Sequence, residues 1–421
     1  MFNNAQELIF WIESQKRLTP KVSLDRFRKI CEVYGSPEKN IKYIHVGGTN
    51  GKGSTVTYIK NILRQAEYNV GGYISPYVIA FNERISYNDN YISDDDLLEI
   101  GNYIISKYDI LAAKNLEKPS FFEFVTIMAF IYFSRIKDLD FVVLEVGLGG
   151  LLDATNIVTP ILSIITNIAF DHMNVLGNTL PEIAKNKLGI VKHQVPLITI
   201  KNSEILDLVK ATTTNLQSPL ILVDKNSIKN IRLSLQDTVF DYLNYRNIQL
   251  KMLGSHQTEN AALAIEAICL LRDKYGYDIP DETIYQGLAN TTWPGRLQVI
   301  SKKPMMIIDG AHNIDGITRL TEFLRAIKGN KKIKLIFAVS ADKAKEEMIK
   351  LIEQVADEII FTRFNYKRSD TANHLLELSH HQNKRIEEDL DKIIVEVKQE
   401  TDKIIVFCGS LYFVSEIFKK I

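Results

Sequence analysis

Short apolar bursts alternate along this chain with stretches in which apolar positions recur every three or four residues. The segment KYIHV, ending at Val46, reads as a strand, and Val56, Ile59, Ile62, Leu63 and Ala66 then fall on one helical face. Together they predict a strand–loop–helix unit. Further strands are expected over 141–146, 161–166 and 196–200, with helices around 122–133 and 181–191. This alternation predicts a mainly parallel sheet covered by helices. A helical stretch over 258–274 gives way to NTTWPGR at 290–296, where proline and glycine interrupt both helix and strand. The domain boundary is placed there, giving domains over 1–292 and 293–421. Beyond it, strands expected at 305–308, 334–339, 358–362 and 403–407 alternate with helical stretches. The fold class is therefore α/β: a P-loop-type, mainly parallel N-terminal domain and a smaller, Rossmann-like C-terminal one. No internal repeat or low-complexity segment interrupts the pattern.

Composition narrows the class further. A length of 421 residues fits two or three cores, and 46% hydrophobic with 24% charged residues is the composition of a globular chain. Lys plus Arg equals Asp plus Glu at 51 each, so no bulk field draws the chain to nucleic acid or anionic lipid. Cys31, Cys269 and Cys408 lie far apart in apolar contexts, which points to buried thiols and a reducing compartment. The N-terminal segment is amphipathic and acidic, unlike a signal peptide, and no apolar run approaches the ~20 residues that span a bilayer. A cytoplasmic location is expected, with neither a nucleic-acid nor a membrane partner.

The candidate chemistry starts where KYIHV runs into GGTNGKGST at 47–55 and then into a helix. Glycines let successive N–H groups face phosphates, the helix N-terminus adds positive potential, and Lys52 supplies a cation expected to be exposed in the empty loop. Ser54 would hold Mg²⁺. The spacing is a variant of the usual phosphate loop, since Val46 occupies the first glycine position and Gly53 intrudes before the hydroxyl residue. The bland reading is an ordinary glycine-rich turn; strand, loop, lysine and helix together favour a phosphate site. FVVLEVG delivers Glu145 at the carboxyl end of a strand, where doubly wound sheets place ligand-contacting groups. The following GLGGLLDATN has Leu152 at the third glycine position of a dinucleotide fingerprint, so that cofactor is rejected. His172, in AFDHMNVLG, follows another strand and is a candidate neutral ligand for a second metal, against the simpler reading of a hydrogen-bonded loop histidine.

Taken in order, HVGGTNGKGST, SPYVIAFNERI, EVGLGGLLDATN, DHMNVLGNTLPEIAKNKLGIVK, LGSHQTENAALA, WPGRLQ, DGAHN and CGSLYFVSE resemble the folylpolyglutamate synthase family, which groups with the Mur ligases. The resemblance runs from Trp11 to Phe413. It implies an ATP-dependent ligase that adds L-glutamate to the γ-carboxylate of tetrahydrofolate through an acyl phosphate, with dihydropteroate as a further acceptor. It implies that Gly48, Thr49, Asn50, Gly51, Lys52, Gly53 and Ser54 form the ATP loop. Ser54, Ser75 and Glu145 would serve one Mg²⁺ and His172 a second. Lys187 would be a carbamylated lysine, and Asn260, Arg296 and Asp309 would contact ATP. Lys52, Lys187, His172 and Arg296 are the expected catalytic set. Three positions depart from the family pattern: Tyr77 stands for a histidine, Leu151 for an arginine and Asn186 for an acid. The first two fall where folate or pterin contacts are expected.

Two other readings compete. A peptidoglycan Mur ligase would carry a nucleotide-sugar domain before the loop, and the roughly 45 residues before Gly47 are too few for one. A non-catalytic nucleotide switch would use ATP only to drive domain closure. The chain is expected to work as a monomer on small molecules.

Overall fold

The computed structural model describes residues 1–15 and 23–421. Contacts divide the chain into two compact units: 1–225 with 260–287, and 226–259 with 288–421. A single cut at 292/293 differs from this division mainly in the 226–259 segment, which groups with the second unit.

The first unit is built on an eight-stranded sheet comprising β1 (Tyr43–Gly47), β2 (Val70–Tyr73), β3 (Ile85–Tyr87), β4 (Asn90–Tyr91), β5 (Phe141–Glu145), β6 (Leu162–Ile165), β7 (Leu197–Ile200) and β8 (Leu220–Val223). Their order is β4-β3-β2-β5-β1-β6-β7-β8. All neighbours are parallel except β3, which runs antiparallel to both β2 and β4. The central strands are mostly apolar and buried throughout, as a parallel sheet covered on both faces requires. Helix Phe121–Ser134 is apolar around most of its circumference, and Phe124, Ile127, Met128, Phe130 and Phe133 are all buried. Gly71 of β2 lets it approach: a Cβ there would lie 2.6 Å from the Phe133 ring.

The second unit contains an antiparallel sheet of β9 (Ile228–Leu233), β10 (Thr238–Tyr242) and β11 (Tyr245–Leu250). It also contains a six-stranded sheet of β12 (Gln298–Lys302), β13 (Met305–Asp309), β14 (Lys332–Phe337), β15 (Glu358–Phe361), β16 (Lys384–Ile386) and β17 (Lys403–Cys408). The order β12-β13-β17-β14-β15-β16 is parallel apart from the β12–β13 pair. No disulfide joins the three cysteines; Cys31 and Cys408 are buried and Cys269 is half-buried. Among the described residues no helix is long and apolar enough to cross a membrane.

Candidate active site

In the first unit, parallel pairing brings the carboxyl ends of β2, β5, β1 and β6 side by side, the edge at which open α/β sheets bind ligands. The β1 loop enters helix Lys52–Gln65 through Gly51, whose φ of 84° and ψ of −8° are left-handed. No side chain caps this helix. Its first internal bond is Thr55 N–H to Gly51 O at 2.9 Å, so the N–H groups of its first turn face the start of the helix. That is a ready-made anion seat.

The loop is fixed from below. Thr49 N donates to Asn167 O at 2.8 Å, Asn50 N to Asn167 Oδ1 at 2.7 Å, and the Thr166 hydroxyl to Asn50 O at 2.6 Å. Thr49 Oγ1 donates to Ala169 O and accepts from Ala169 N, both at 3.1 Å. The two critical glycines have no room for a side chain: a Cβ on Gly48 would lie 1.9 Å from Thr166 Oγ1, and one on Gly51 2.2 Å from Asn260 Oδ1. Asn260 is thereby placed against the loop. Thr166 and Asn167 were not singled out from sequence; the available signal was a polar pair directly after the strand that flanks β1.

Lys52 is half-buried rather than exposed, because its ammonium bonds to Thr49 O at 3.1 Å and Gly48 O at 3.3 Å. The second lysine reaches the same carbonyl: Lys187 Nζ donates to Gly48 O at 2.8 Å. Lys187 projects from helix Leu180–Leu188, whose start is set by a capping box between Thr179 and Glu182. The side chain is only 3% exposed. Burial, reinforced by the nearby Lys52 charge, pushes its pKa down to about 7.

Glu145 ends β5 opposite Val46 and is buried; its Oε2 accepts from Ser75 N at 3.2 Å, which joins the expected metal-binding pair. Ser54, on the first turn of the loop helix, is also buried. His172 occupies a left-handed position, φ 51°, at the start of the short helix Met173–Leu176. Its side chain is 43% exposed, with Nε2 3.9 Å from Asp171 Oδ1. The departures are also placed. Tyr77 OH donates to Glu13 at 2.6 Å, Leu151 is 48% exposed, and Asn186 O accepts from Leu151 N at 2.9 Å. The loop after Glu145 is braced by Asp153, which accepts from Leu148 N, Thr155 N and the Thr155 hydroxyl. The Thr155 oxygen then accepts from His45 Nε2, an imidazole kept neutral by burial.

Arg296 and Asp309 belong to the second unit. The Asp309 carboxylate accepts from Leu297 N at 2.8 Å and Ala311 N at 2.9 Å, pinning the segment that carries Arg296 to the end of β13. Burial raises the Asp309 pKa, against the lowering effect of Arg296 and the two amides. Asn313 caps helix Ile314–Ile327 through Gly316 N.

The arrangement provides a glycine-rich loop at a helix start, two lysines on one carbonyl and a buried carboxylate bonded to the Ser75 amide. Comparison with known proteins identifies the family. The Mur ligase middle domain matches residues 46–268, and the Mur ligase glutamate ligase domain matches residues 295–411. The dihydrofolate synthase/folylpolyglutamate synthase of Bacillus subtilis is 38% identical over 429 residues, covering 100% of both chains. The crystal structure of folylpolyglutamate synthase from Thermotoga maritima superposes with a TM-score of 0.86 at 32% identity, covering 99% of this chain and 96% of that one. The E. coli FolC complex with DHPP and ADP gives a TM-score of 0.85 at 26% identity, covering 99% and 97%. With its whole length matched and both domains in order, this chain belongs to the dihydrofolate synthase/folylpolyglutamate synthase family of Mur-type, ATP-dependent ligases.

Proposed function

We propose that this chain is an ATP-dependent ligase that joins L-glutamate to the γ-carboxylate of a reduced folate, with dihydropteroate as a second acceptor. The observation that carries the reading is the uncapped helix start at Gly51, with Lys52 and Glu145 at the same sheet edge, in a chain related to such enzymes over its full length. A carboxylate does not condense with an amine in water, because hydroxide-like oxygen is too poor a leaving group. In the proposed reaction the folate carboxylate oxygen bonds to the γ-phosphorus as the β–γ bridge breaks and ADP leaves. The glutamate amine then attacks the acyl carbon, loses a proton and expels phosphate. Lys52 and the first-turn N–H groups would hold the phosphates, and Asn260 would contact the nucleotide beside Gly51. Arg296, braced by Asp309, would add positive charge on domain closure.

The donors also suit Mg²⁺. Ser54, Ser75 and Glu145 offer only oxygen, and among the described residues no cluster of three or more His, Cys, Asp or Glu converges. Mg²⁺ typically takes one or two carboxylates and retains waters and phosphates. These residues would hold one ion, and His172 with a carbamylated Lys187 the second; bound Mg²⁺ would supply neutralisation of phosphate charge. The Lys187 proposal is supported by its burial and lowered pKa: a neutral amine can form an N–C bond to CO₂ with loss of one proton. We further propose that the enzyme acts as a cytoplasmic monomer.

The test is incubation with ATP, Mg²⁺ and labelled glutamate, offering tetrahydrofolate, methylenetetrahydrofolate or dihydropteroate in turn, with products weighed by mass spectrometry. Labelled product is expected from a reduced folate and from dihydropteroate. Product from no acceptor would overturn the reading, and product from reduced folate alone would remove the second activity.

A further inference from the structure

The chain leaving β2 runs through residues 74–80 without regular secondary structure before a 3₁₀ turn at Phe81–Arg84. Such a segment, at the rim of a site and with Ile79 45% exposed at its tip, would ordinarily be mobile. Three consecutive N–H groups instead converge on one carboxylate. Val78 N donates to Glu83 Oε2 at 2.8 Å, and Ile79 N and Ala80 N donate to Oε1 at 2.9 Å each. Glu83 is itself only 7% exposed. Bonds to an ionised acceptor are roughly twice as strong as neutral ones, so this side chain supplies the restraint that the exposed tip cannot draw from burial.

The same segment is also fastened at its start. Ile74 N donates to Arg84 O at 3.0 Å, and Ser75 N donates to Glu145 Oε2 at 3.2 Å. The Arg84 guanidinium lies over the rings of Tyr77, Phe81 and Phe121, at 5.1, 5.4 and 5.4 Å from their centroids. Tyr77 is tied to Glu13. Glu83 is thus the hub that closes the 74–84 loop, near whose start Ser75 lies.

We infer that Glu83 is a positioning residue: by holding the N–H groups of Val78, Ile79 and Ala80 it fixes Ser75 beside Glu145 and so sets the enzyme's affinity for Mg²⁺. This rests on the proposal that Ser75 and Glu145 serve the nucleotide's metal. An amide at position 83 keeps the shape but presents an NH₂ donor to at least one N–H that now has an acceptor.

The experiment compares wild type, E83Q, S75A and the double variant by two readouts. The first is hydrogen exchange of the amides of residues 78–80 in the ligand-free protein. The second is the Mg²⁺ concentration giving half-maximal ADP formation. E83Q is expected to speed exchange at these amides and raise the Mg²⁺ requirement by about tenfold, the low end for loss of a group that orients a metal ligand. Turnover should largely recover at high Mg²⁺, with KM for glutamate unchanged. E83Q should add little to S75A, because both act through one ligand. If E83Q loses turnover only in proportion to its unfolded fraction, with the wild-type Mg²⁺ requirement, the inference is overturned. If S75A itself shows the wild-type requirement while E83Q exchanges faster, the metal assignment of Ser75 fails although the loop restraint stands, and with it fails the proposed route from Glu83 to Mg²⁺. Should E83Q not fold, E83D, which keeps charge and acceptors with a shorter reach, gives the same two readouts.

Discussion

Replacing Gly51 by alanine tests the nucleotide loop through a defined collision. The residue sits at φ 84°, and a left-handed conformation costs a residue with a Cβ about 1–2 kcal/mol. The new Cβ would also lie 2.2 Å from Asn260 Oδ1 and 2.9 Å from its Cγ, so the Asn260 side chain must move. Shifting it off its rotamer costs about 0.5–1.5 kcal/mol, and disturbing its polar contacts about 1 kcal/mol more. The total is about 3 kcal/mol, which falls on the loop and corresponds to about 100-fold weaker ATP binding. Calorimetric titration of ATP into wild type, G51A, N260A and the double variant separates the terms. In the N260A background only the left-handed cost should remain, so that G51A there weakens binding about tenfold. An equal loss in both backgrounds would refute the collision, and unchanged affinity in G51A would remove the loop from the nucleotide site.

Other variants probe the remaining groups. K52A should lower turnover by about 100-fold or more, the cost of removing one preorganised charge-stabilising donor, while its thermal unfolding stays near wild type; near-normal ligation would contradict the loop assignment. R296A should slow the chemical step in single-turnover measurements, yet leave ATP affinity without folate unchanged by calorimetry, because the contact proposed for it forms only on closure. For Lys187, whose folded pKa is lowered to about 7, the unfolded chain binds the extra proton between about pH 7 and 10. Native stability from this group therefore rises with pH across that window, and the penalty of burying the charge is fully present below it. In CO₂-free buffer K187M should be more stable than wild type by on the order of a few kcal/mol at pH 6, an advantage that shrinks towards pH 10. Differencing the two proteins by chemical denaturation cancels Lys60 and Lys192, whose pKa values are also lowered, to about 8. A difference that does not change with pH would show that Lys187 is not buried as an amine.

Much of this architecture was legible in the sequence because the central strands are short apolar runs and the helices between them are amphipathic. The expected strands at 141–146 and 403–407 correspond to Phe141–Glu145 and Lys403–Cys408, and the helix at 122–133 to Phe121–Ser134. Residues 228–250 escaped the reading because β9, IKNIRL, exposes most of its side chains and carries no apolar burst. In β2, VGGY, two glycines hide a strand whose lack of side chains is needed to admit Phe133 and Ser86. At the site, the glycines, Lys52 and Glu145 announce themselves by type and by position after strands. Thr166, Asn167 and Glu83 do not, since they act through backbone groups that are close only after the sheet and the 74–84 loop have formed. The crowding of Lys52 and Lys187 on one carbonyl was hidden for the same reason: 139 residues separate Lys187 from Gly48.

The most direct test of the proposed ligase follows ADP release and glutamate incorporation together in one reaction containing enzyme, ATP, Mg²⁺ and a reduced folate. Formation of an acyl phosphate followed by amide synthesis predicts that sustained ADP release requires both the folate and glutamate, with one ADP formed for each glutamate joined. Sustained ADP release that ignores glutamate, or glutamate joined without ADP, would contradict it.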